Sequence, residues 1–446
     1  MPAIFQTRNF IVTGRGETPA AWHFDVETVA VAQGKLREWK NPCISATLSD
    51  SLEEIFSNLA EIEKEKNLDS RPLLSYCEAQ LDEMLECLRQ AVEIESPSYS
   101  RLGVNKAAAF FARELRQLGG KVALHRHARA GSAVTAEFWG AGRRLKPILL
   151  LGHYDTVWEC GTLARMPFRI QKGRAYGPGV LDMKSGLVCG LWALRALCAL
   201  KIAPRSPVRF FLNPDEEVGS VAFRSQILAE ARRARACLVL EPAAEGGALK
   251  TSRKGVGEFR IVVQGRSAHA GIDPASGVNA ISELARQLLR IEKFARPKAG
   301  LTINVGVIEG GTRPNVVPEF ASARLDVRIP RLRDGERIER NLCGLKPFLR
   351  GAKLQVSGGI NRPPMERRMA EGLFRQARDL ALQLGFHLDE ASTGGGSDGN
   401  FTAALGVPTL DGLGGVGGGA HALNEHIIIR ELPRRAALLA ALLAAI

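Results

Sequence analysis

The chain has 446 residues, 45% hydrophobic and 24% charged, with a net charge of +13. That length exceeds one ordinary core, so two or more domains are expected, and the composition excludes disordered and fibrous classes. No apolar run reaches the roughly 18 residues of a bilayer span, and Arg8, Arg15, Glu17 and Asp25 interrupt the opening apolar patches, so neither a membrane segment nor a secretory leader is expected.

Residues 1–75 carry no chemical motif, only a short strand-like piece at 10–12 and a charged amphipathic piece at 52–66. They are read as an N-terminal extension of unknown role. From Tyr76 on, Leu81, Met84, Leu85, Leu88 and Val92 recur at helical spacing, and Ser96-Pro97-Ser98 ends that helix. A second helix is expected over 105–118, stopped by Gly119-Gly120. Strands follow at 121–125, 133–139 and 148–151, then an apolar helix over 183–200 and buried strands at 208–212 and 236–240. Strands alternating with helices argue for an α/β sheet covered on both faces. Near Thr251 the texture changes. Residues 256–264, 301–308 and 320–329 alternate, and 276–294 and 333–349 read as helices. This β-α-β-β-α-β order is that of the ferredoxin-like split motif, taken as an inserted domain over 253–362. The α/β pattern then resumes, with helices over 369–384 and from Pro433, so 76–252 and 363–446 form one domain.

The basic residues are scattered through helical stretches such as 286–296 and 331–340, and only 6% of residues are aromatic. A nucleic-acid partner is therefore not expected; a cationic surface would instead draw in an anionic substrate. The 8 cysteines form no C-x-x-C pair and read as reduced, buried thiols of a cytoplasmic protein.

Acids and bases sit where strands end. Ile148 to Leu151 runs into His153-Tyr154-Asp155, whose first and third side chains share a side of the strand. Gly177-Pro178-Gly179 turns the chain toward Asp182, at the expected start of a helix. Glu216 and Glu217 follow one buried strand, and Glu241 another. His421 follows a glycine tract that lets backbone come close to a site. Open α/β sheets place their sites at such strand ends. His153, Asp182, Glu217, Glu241 and His421 suffice for two zinc ions if one carboxylate bridges. Asp155 would accept the other ring N–H of His153 and fix its tautomer. Glu216 is then free as general base and acid, and two metals suit a hydrolytic site.

GHYDTV, GPGVLDMKSG, NPDEEVGS, LEP, GRSAHAG and the late GGGAH together resemble the M20 family of metallopeptidases and amidohydrolases, with the glutamate carboxypeptidase branch nearest. The resemblance runs from about Cys77 to the C-terminus. It implies a zinc-dependent exopeptidase-like catalytic domain with an inserted ferredoxin-like α+β dimerisation domain. Asp182 would be the bridging ligand, with His153 and Glu241 completing one zinc and Glu217 and His421 the other. Glu216 matches the catalytic glutamate, and the peptide bond after Asp182 is often cis in the family. The resemblance further implies a homodimer in which His269 reaches the partner's site and helps hold the oxyanion. Asn315 matches a substrate-binding asparagine. Gly396 lies in a loop that lines the substrate pocket through its backbone. Arg328 and Arg362 are candidates for gripping a substrate carboxylate. The expectation is a hydrolase that releases an amino acid with a free carboxylate from a peptide or small-molecule amide, using two Zn2+ per subunit, with Co2+ or Mn2+ as alternatives. An N-acyl amino-acid deacylase shares every catalytic residue and is the rival within the family. A non-catalytic basic binding module is the rival from another class.

Overall fold

The computed structural model describes residues 4–7, 10–13, 70–142 and 144–446. The chain divides into two compact units, Met1–Asn67 and Leu68–Ile446. In the first, Ile4–Thr7 pairs antiparallel with Phe10–Thr13; the piece expected at 52–66 lies outside the described residues. The second begins earlier than the expected boundary at 75. Pro72 opens the helix Arg71–Ala79, and its Leu73 and Cys77 are fully buried in the main core.

That core surrounds a six-stranded sheet. Thr409–Leu410, Ala236–Val239, Ile148–His153 and Val208–Asn213 lie parallel in that order, and Gly131–Phe138 and Lys121–His127 continue the sheet antiparallel. Successive strand side chains point to opposite faces. Ile148 and Leu150 therefore pack with Leu187, Trp192 and Leu438 on one face, while Leu149 and Leu151 pack with Phe211, Ile227 and Phe401 on the other. Each fully buried Leu or Ile adds on the order of 1.5–3 kcal/mol of hydrophobic stabilisation. This two-sided burial explains why Ile148–Leu151 is a continuous apolar run rather than an alternating one.

The inserted region is a separate layer. Gly255–Gln264, Thr302–Gly310, Phe320–Ile329 and Lys353–Arg362 form an antiparallel sheet, crossed by the helices Ala280–Glu292 and Leu332–Cys343 in β-α-β-β-α-β order. Alternate residues Phe259, Ile261 and Val263 bury against Leu284, Ile291, Ile338 and Leu342, forming a core of their own.

Helix ends differ from the sequence expectation where local chemistry acts. The helix expected from 105 begins at Arg101, because Ser100 Oγ accepts the Gly103 N–H and caps it. The helix expected to run to 349 ends at Cys343, where Gly344 follows and Pro347 prevents continuation.

The seven described cysteines are free, but Cys160, Cys198 and Cys343 are exposed, against the expectation of buried thiols throughout. Burial pushes the Cys77, Cys87 and Cys189 thiols up to about 12. A thiol reagent applied to native protein at neutral pH is expected to modify Cys160, Cys198 and Cys343. Cys77, Cys87, Cys189 and Cys237 should react only after denaturation, which peptide mapping of the labelled protein would show. No helix among the described residues is long and apolar enough to cross a membrane.

Candidate metal centre

The parallel strands end on one rim, and the chain immediately beyond them supplies the site. Ile148–His153 ends in His153, Val208–Asn213 leads into the turn Glu216–Val218, and Ala236–Val239 leads to Glu241. A Cβ on Gly186 would lie 1.9 Å from the Leu240 carbonyl oxygen, so glycine is what lets the helix Ser185–Ala199 approach the chain beside Glu241. Asp182 and His421 come from two segments joined by a small sheet, in which His426–Ile428 pairs with both Gly417–Gly418 and Arg174–Tyr176. Asp182 is not at the helix start. The helix begins at Ser185, and Asp182 and Met183 have non-helical backbones joined by a cis peptide bond.

The five side chains converge. His153 Nε2 stands 3.3 Å from Asp182 Oδ1 and 3.4 Å from Glu241 Oε1. His421 Nε2 stands 3.4 Å from Asp182 Oδ2 and 3.3 Å from Glu217 Oε1. Each oxygen of Asp182 thus faces a different imidazole. Ligands bonded tetrahedrally to zinc at about 2.0–2.1 Å are roughly 3.3–3.4 Å apart, which is the spacing found here. Asp182 Oδ1 and Glu217 Oε1 are also buried without a hydrogen-bond donor among the described residues. Orphaned buried carboxylate oxygens are costly, and a metal ion would satisfy them. Imidazole with carboxylate is a donor set suited to zinc and its neighbours.

The ligand atoms of His153, Glu216 and Glu241 lie within 4.8 Å of one another, as do those of His153, Asp182 and Glu217. Glu216 stands apart chemically, because its Oε1 faces Arg362 Nη2 at 3.0 Å.

The cluster's electrostatics follow from charges brought together in a dry place. Burial alone would lower the His153 imidazole, but Asp155, Asp182 and Glu241 raise it well above its usual range. Asp182 and Glu217 push His421 up to about 10. Burial opposes ionisation of Asp182, yet the facing imidazoles hold its carboxyl far below the usual value. Glu241 is lowered by His153 and Arg253 against burial and the charge of Asp182. Glu216 is raised well above the usual carboxylate range by burial, against the pull of Arg362.

The remaining expected residues take varied places. His153 Nδ1 meets the main-chain oxygen of Asp155 at 3.0 Å, closer than that residue's carboxylate at 3.4 Å. The Asp155 carboxylate instead accepts the backbone N–H groups of Glu216 and Glu217, each at 3.1 Å, and the Ser98 hydroxyl at 2.7 Å. It therefore sets the turn that presents both glutamates. His269 is exposed, with Nδ1 accepting the N–H groups of Gly271 and Ile272, and lies outside the convergent groups. Asn315 is exposed on the adjoining segment, where its carbonyl accepts the Ala270 N–H. Arg328 is paired with Asp326 and directs Nη1 toward the Gly394 carbonyl. Arg362 is buried: Nη1 donates to Asp398, and Nη2 donates to Ser220 Oγ and the Glu216 carbonyl. Gly396 packs on it, with space for a Cβ closed by Arg362 Cδ at 3.0 Å.

The sequence reading missed Arg253 and Asp398. Arg253 is buried, grips Asp411 with two bonds of 2.8 Å, reaches Glu241 Oε2 at 3.3 Å, and donates to the carbonyls of Gly395 and Gly396. It ties a candidate ligand to the glycine loop. Asp398 accepts from Asn213, Ser220 and Arg362. Asp398 lies two residues beyond Gly396 and Arg253 at the expected start of the inserted domain, but nothing in their spacing reveals their partners.

Comparison with known proteins fits this geometry. The sequence profile of peptidase family M20/M25/M40 matches residues 149–445. Carboxypeptidase G2 of Pseudomonas sp. (strain RS-16) is 30% identical over 363 residues, covering 79% of this chain and 86% of that protein. Succinyl-diaminopimelate desuccinylase of Verminephrobacter eiseniae is 25% identical over 311 residues, covering 65% and 75%. Among solved structures, aminopeptidase PepT from Bacillus cereus superposes with a TM-score of 0.67 at 20% identity, covering 82% of this chain and 98% of that one, a likeness of fold. The profile match spans every convergent position from His153 to His421, and on that ground the chain belongs to the M20/M25/M40 peptidase family, as a metal-dependent hydrolase.

Proposed function

We propose that this hydrolase cleaves an amide bond to release a C-terminal amino acid, in the manner of a glutamate carboxypeptidase. The observation that carries the catalytic part is the pair of Asp182 oxygens, each facing its own imidazole, which in turn meets its own glutamate. His153, Glu241 and Asp182 would hold one Zn2+, and His421, Glu217 and Asp182 the other. Bound there, the metals would supply an acidified water and a Lewis acid for the scissile carbonyl. Asp155 holds His153 with Nε2 directed into the cluster and fixes the turn bearing Glu216. Arg253 steadies Glu241. Glu216, buried beside the cluster and not needed as a ligand, takes the proton of the attacking water and returns it to the leaving nitrogen.

The exopeptidase reading is supported by the similarity to carboxypeptidase G2, which extends over 86% of that protein. For the substrate carboxylate we assign Arg328, whose side chain is 33% exposed against 6% for Arg362. Asn315 and the backbone at Gly396 would complete the substrate contacts. A homodimer through the inserted region, in which the exposed His269 serves the partner's site, and a cytoplasmic location consistent with the exposed free thiols are parts of the same reading. A deacylase is the second reading, favoured by the desuccinylase relative. The complete ligand set speaks against a non-catalytic module.

Zinc-loaded protein incubated with C-terminal-glutamate peptides and N-acyl amino acids is expected to release free glutamate from the peptides. A chelator should abolish release, and zinc or cobalt restore it. Release from simple acyl compounds alone would replace this reading with the deacylase. Absence of both release and bound metal would overturn the hydrolytic centre itself.

A further inference from the structure

A carboxylate outside the proposed ligand set governs the loop that carries Asp182. Glu425 is fully buried, and its two oxygens are saturated by donors. Oε1 accepts the backbone N–H of Leu181 at 2.9 Å and of Asp182 at 3.0 Å. Oε2 accepts the backbone N–H of Gly179 at 3.0 Å and the indole N–H of Trp158 at 2.8 Å. Gly179, in the left-handed region at φ 70, and the non-helical backbones of Asp182 and Met183 keep this loop from the regular α-helical hydrogen-bond pattern there. Its N–H groups turn inward onto one side chain instead.

Glu425 also belongs to the His421 segment. Its own N–H donates to the Ala422 carbonyl, the Ala422 N–H donates to Gly419, and its carbonyl accepts from Gly177. His421 itself has φ 61, a left-handed conformation uncommon for a residue with a side chain. One buried carboxylate therefore joins the segment of His421 to that of Asp182, the two residues whose facing atoms lie 3.4 Å apart.

We infer that Glu425 is a positioning residue for the metal centre, fixing the distance between Asp182 and His421 and so the affinity of the ion held by His421, Glu217 and Asp182. The inference rests on the two-metal reading above. The site it governs is the more open one, since the His421 side chain is 49% exposed while that of His153 is 2% exposed, so a small displacement of Asp182 is felt there first.

In Glu425→Gln the amide nitrogen meets N–H groups where an oxygen accepted them, with side-chain size retained. Zinc binding to metal-free wild type and E425Q, followed by competition with a chromophoric chelator, gives the two affinities without any turnover assay. The weaker site is expected to lose affinity at least tenfold while the tighter changes less than threefold. The visible absorption of the cobalt-loaded variant should lose the contribution of the second ion. Glu425→Asp, which keeps the charge, should recover part of the loss. A folded E425Q with two wild-type affinities and an unaltered cobalt spectrum overturns the inference. Should E425Q not fold, Trp158→Phe carries the test by removing one donor from Oε2. A fall of about threefold at the weaker site supports the assignment, and unchanged affinities in folded W158F overturn it. A wild-type chain that does not bind two ions would defeat the underlying two-metal reading, and this assignment with it, whatever the variants do.

Discussion

Glu216→Gln is expected to lower kcat by roughly 10²–10⁴-fold, the usual contribution of a positioned general acid and base, with both metal ions still bound. The substitution keeps the side chain's size and leaves Oε1 available to Arg362, which stands 3.0 Å away. It does not touch the backbone N–H that donates to Asp155, so the turn bearing Glu217 should remain in place. What it removes is the capacity to carry a proton. Burial already holds Glu216 well above the usual carboxylate range, which favours proton uptake by a group that must both accept and release a proton. Turnover and metal content measured on the same preparation decide the matter. Low turnover with full metal assigns the proton to Glu216. Normal turnover with full metal would remove it from the mechanism, and lost metal would make it a ligand instead.

The parts of the site that were legible in the sequence are those written locally. Ile148–Leu151 is a run buried on both faces, so the residues just beyond it had to emerge at a strand end. Glu216 and Glu217 follow Val208–Asn213 for the same reason. The parts that were not legible depend on pairs far apart in the chain. Gly179 and Glu425 are 246 residues apart, Arg253 and Asp411 are 158 apart, and no periodicity links such positions. The role of Asp155 shows the intermediate case. Its nearness to His153 could be read from alternation along the strand, but not the use of its carboxylate on N–H groups 61 and 62 residues away. Helix ends failed for a different reason. Capping by Ser100 and the non-helical path through Asp182 and Met183 are decided by one or two backbone torsions, which hydrophobic spacing does not encode.

Arg362→Met is expected to destabilise the protein by about 3–5 kcal/mol, the cost of stripping one partner from a buried ion pair. Arg362 stands between Asp398, at 2.7 Å, and Glu216, at 3.0 Å, and its loss takes the cation from two carboxylates whose side chains are only 4% and 11% exposed. Urea unfolding of the metal-loaded protein would register the loss as a lower midpoint. The kinetic signature separates two roles for this arginine. If it holds Glu216, kcat falls while KM changes little, because Arg328 would receive the substrate carboxylate in the proposed assignment. If it grips the substrate in the ground state and transition state alike, KM rises with kcat largely kept. The pH profile gives a further sign. The guanidinium lowers the Glu216 pKa, so its removal raises that value, and the acid limb of kcat should move to higher pH. Arg362→Lys restores the charge but not the planar fork that serves Asp398 and Glu216 together, and should recover the pH profile more fully than the stability. A large rise in KM with an unmoved acid limb would return Arg362 to the substrate pocket. It would then follow that its contact with Glu216 is exchanged for the substrate carboxylate during binding.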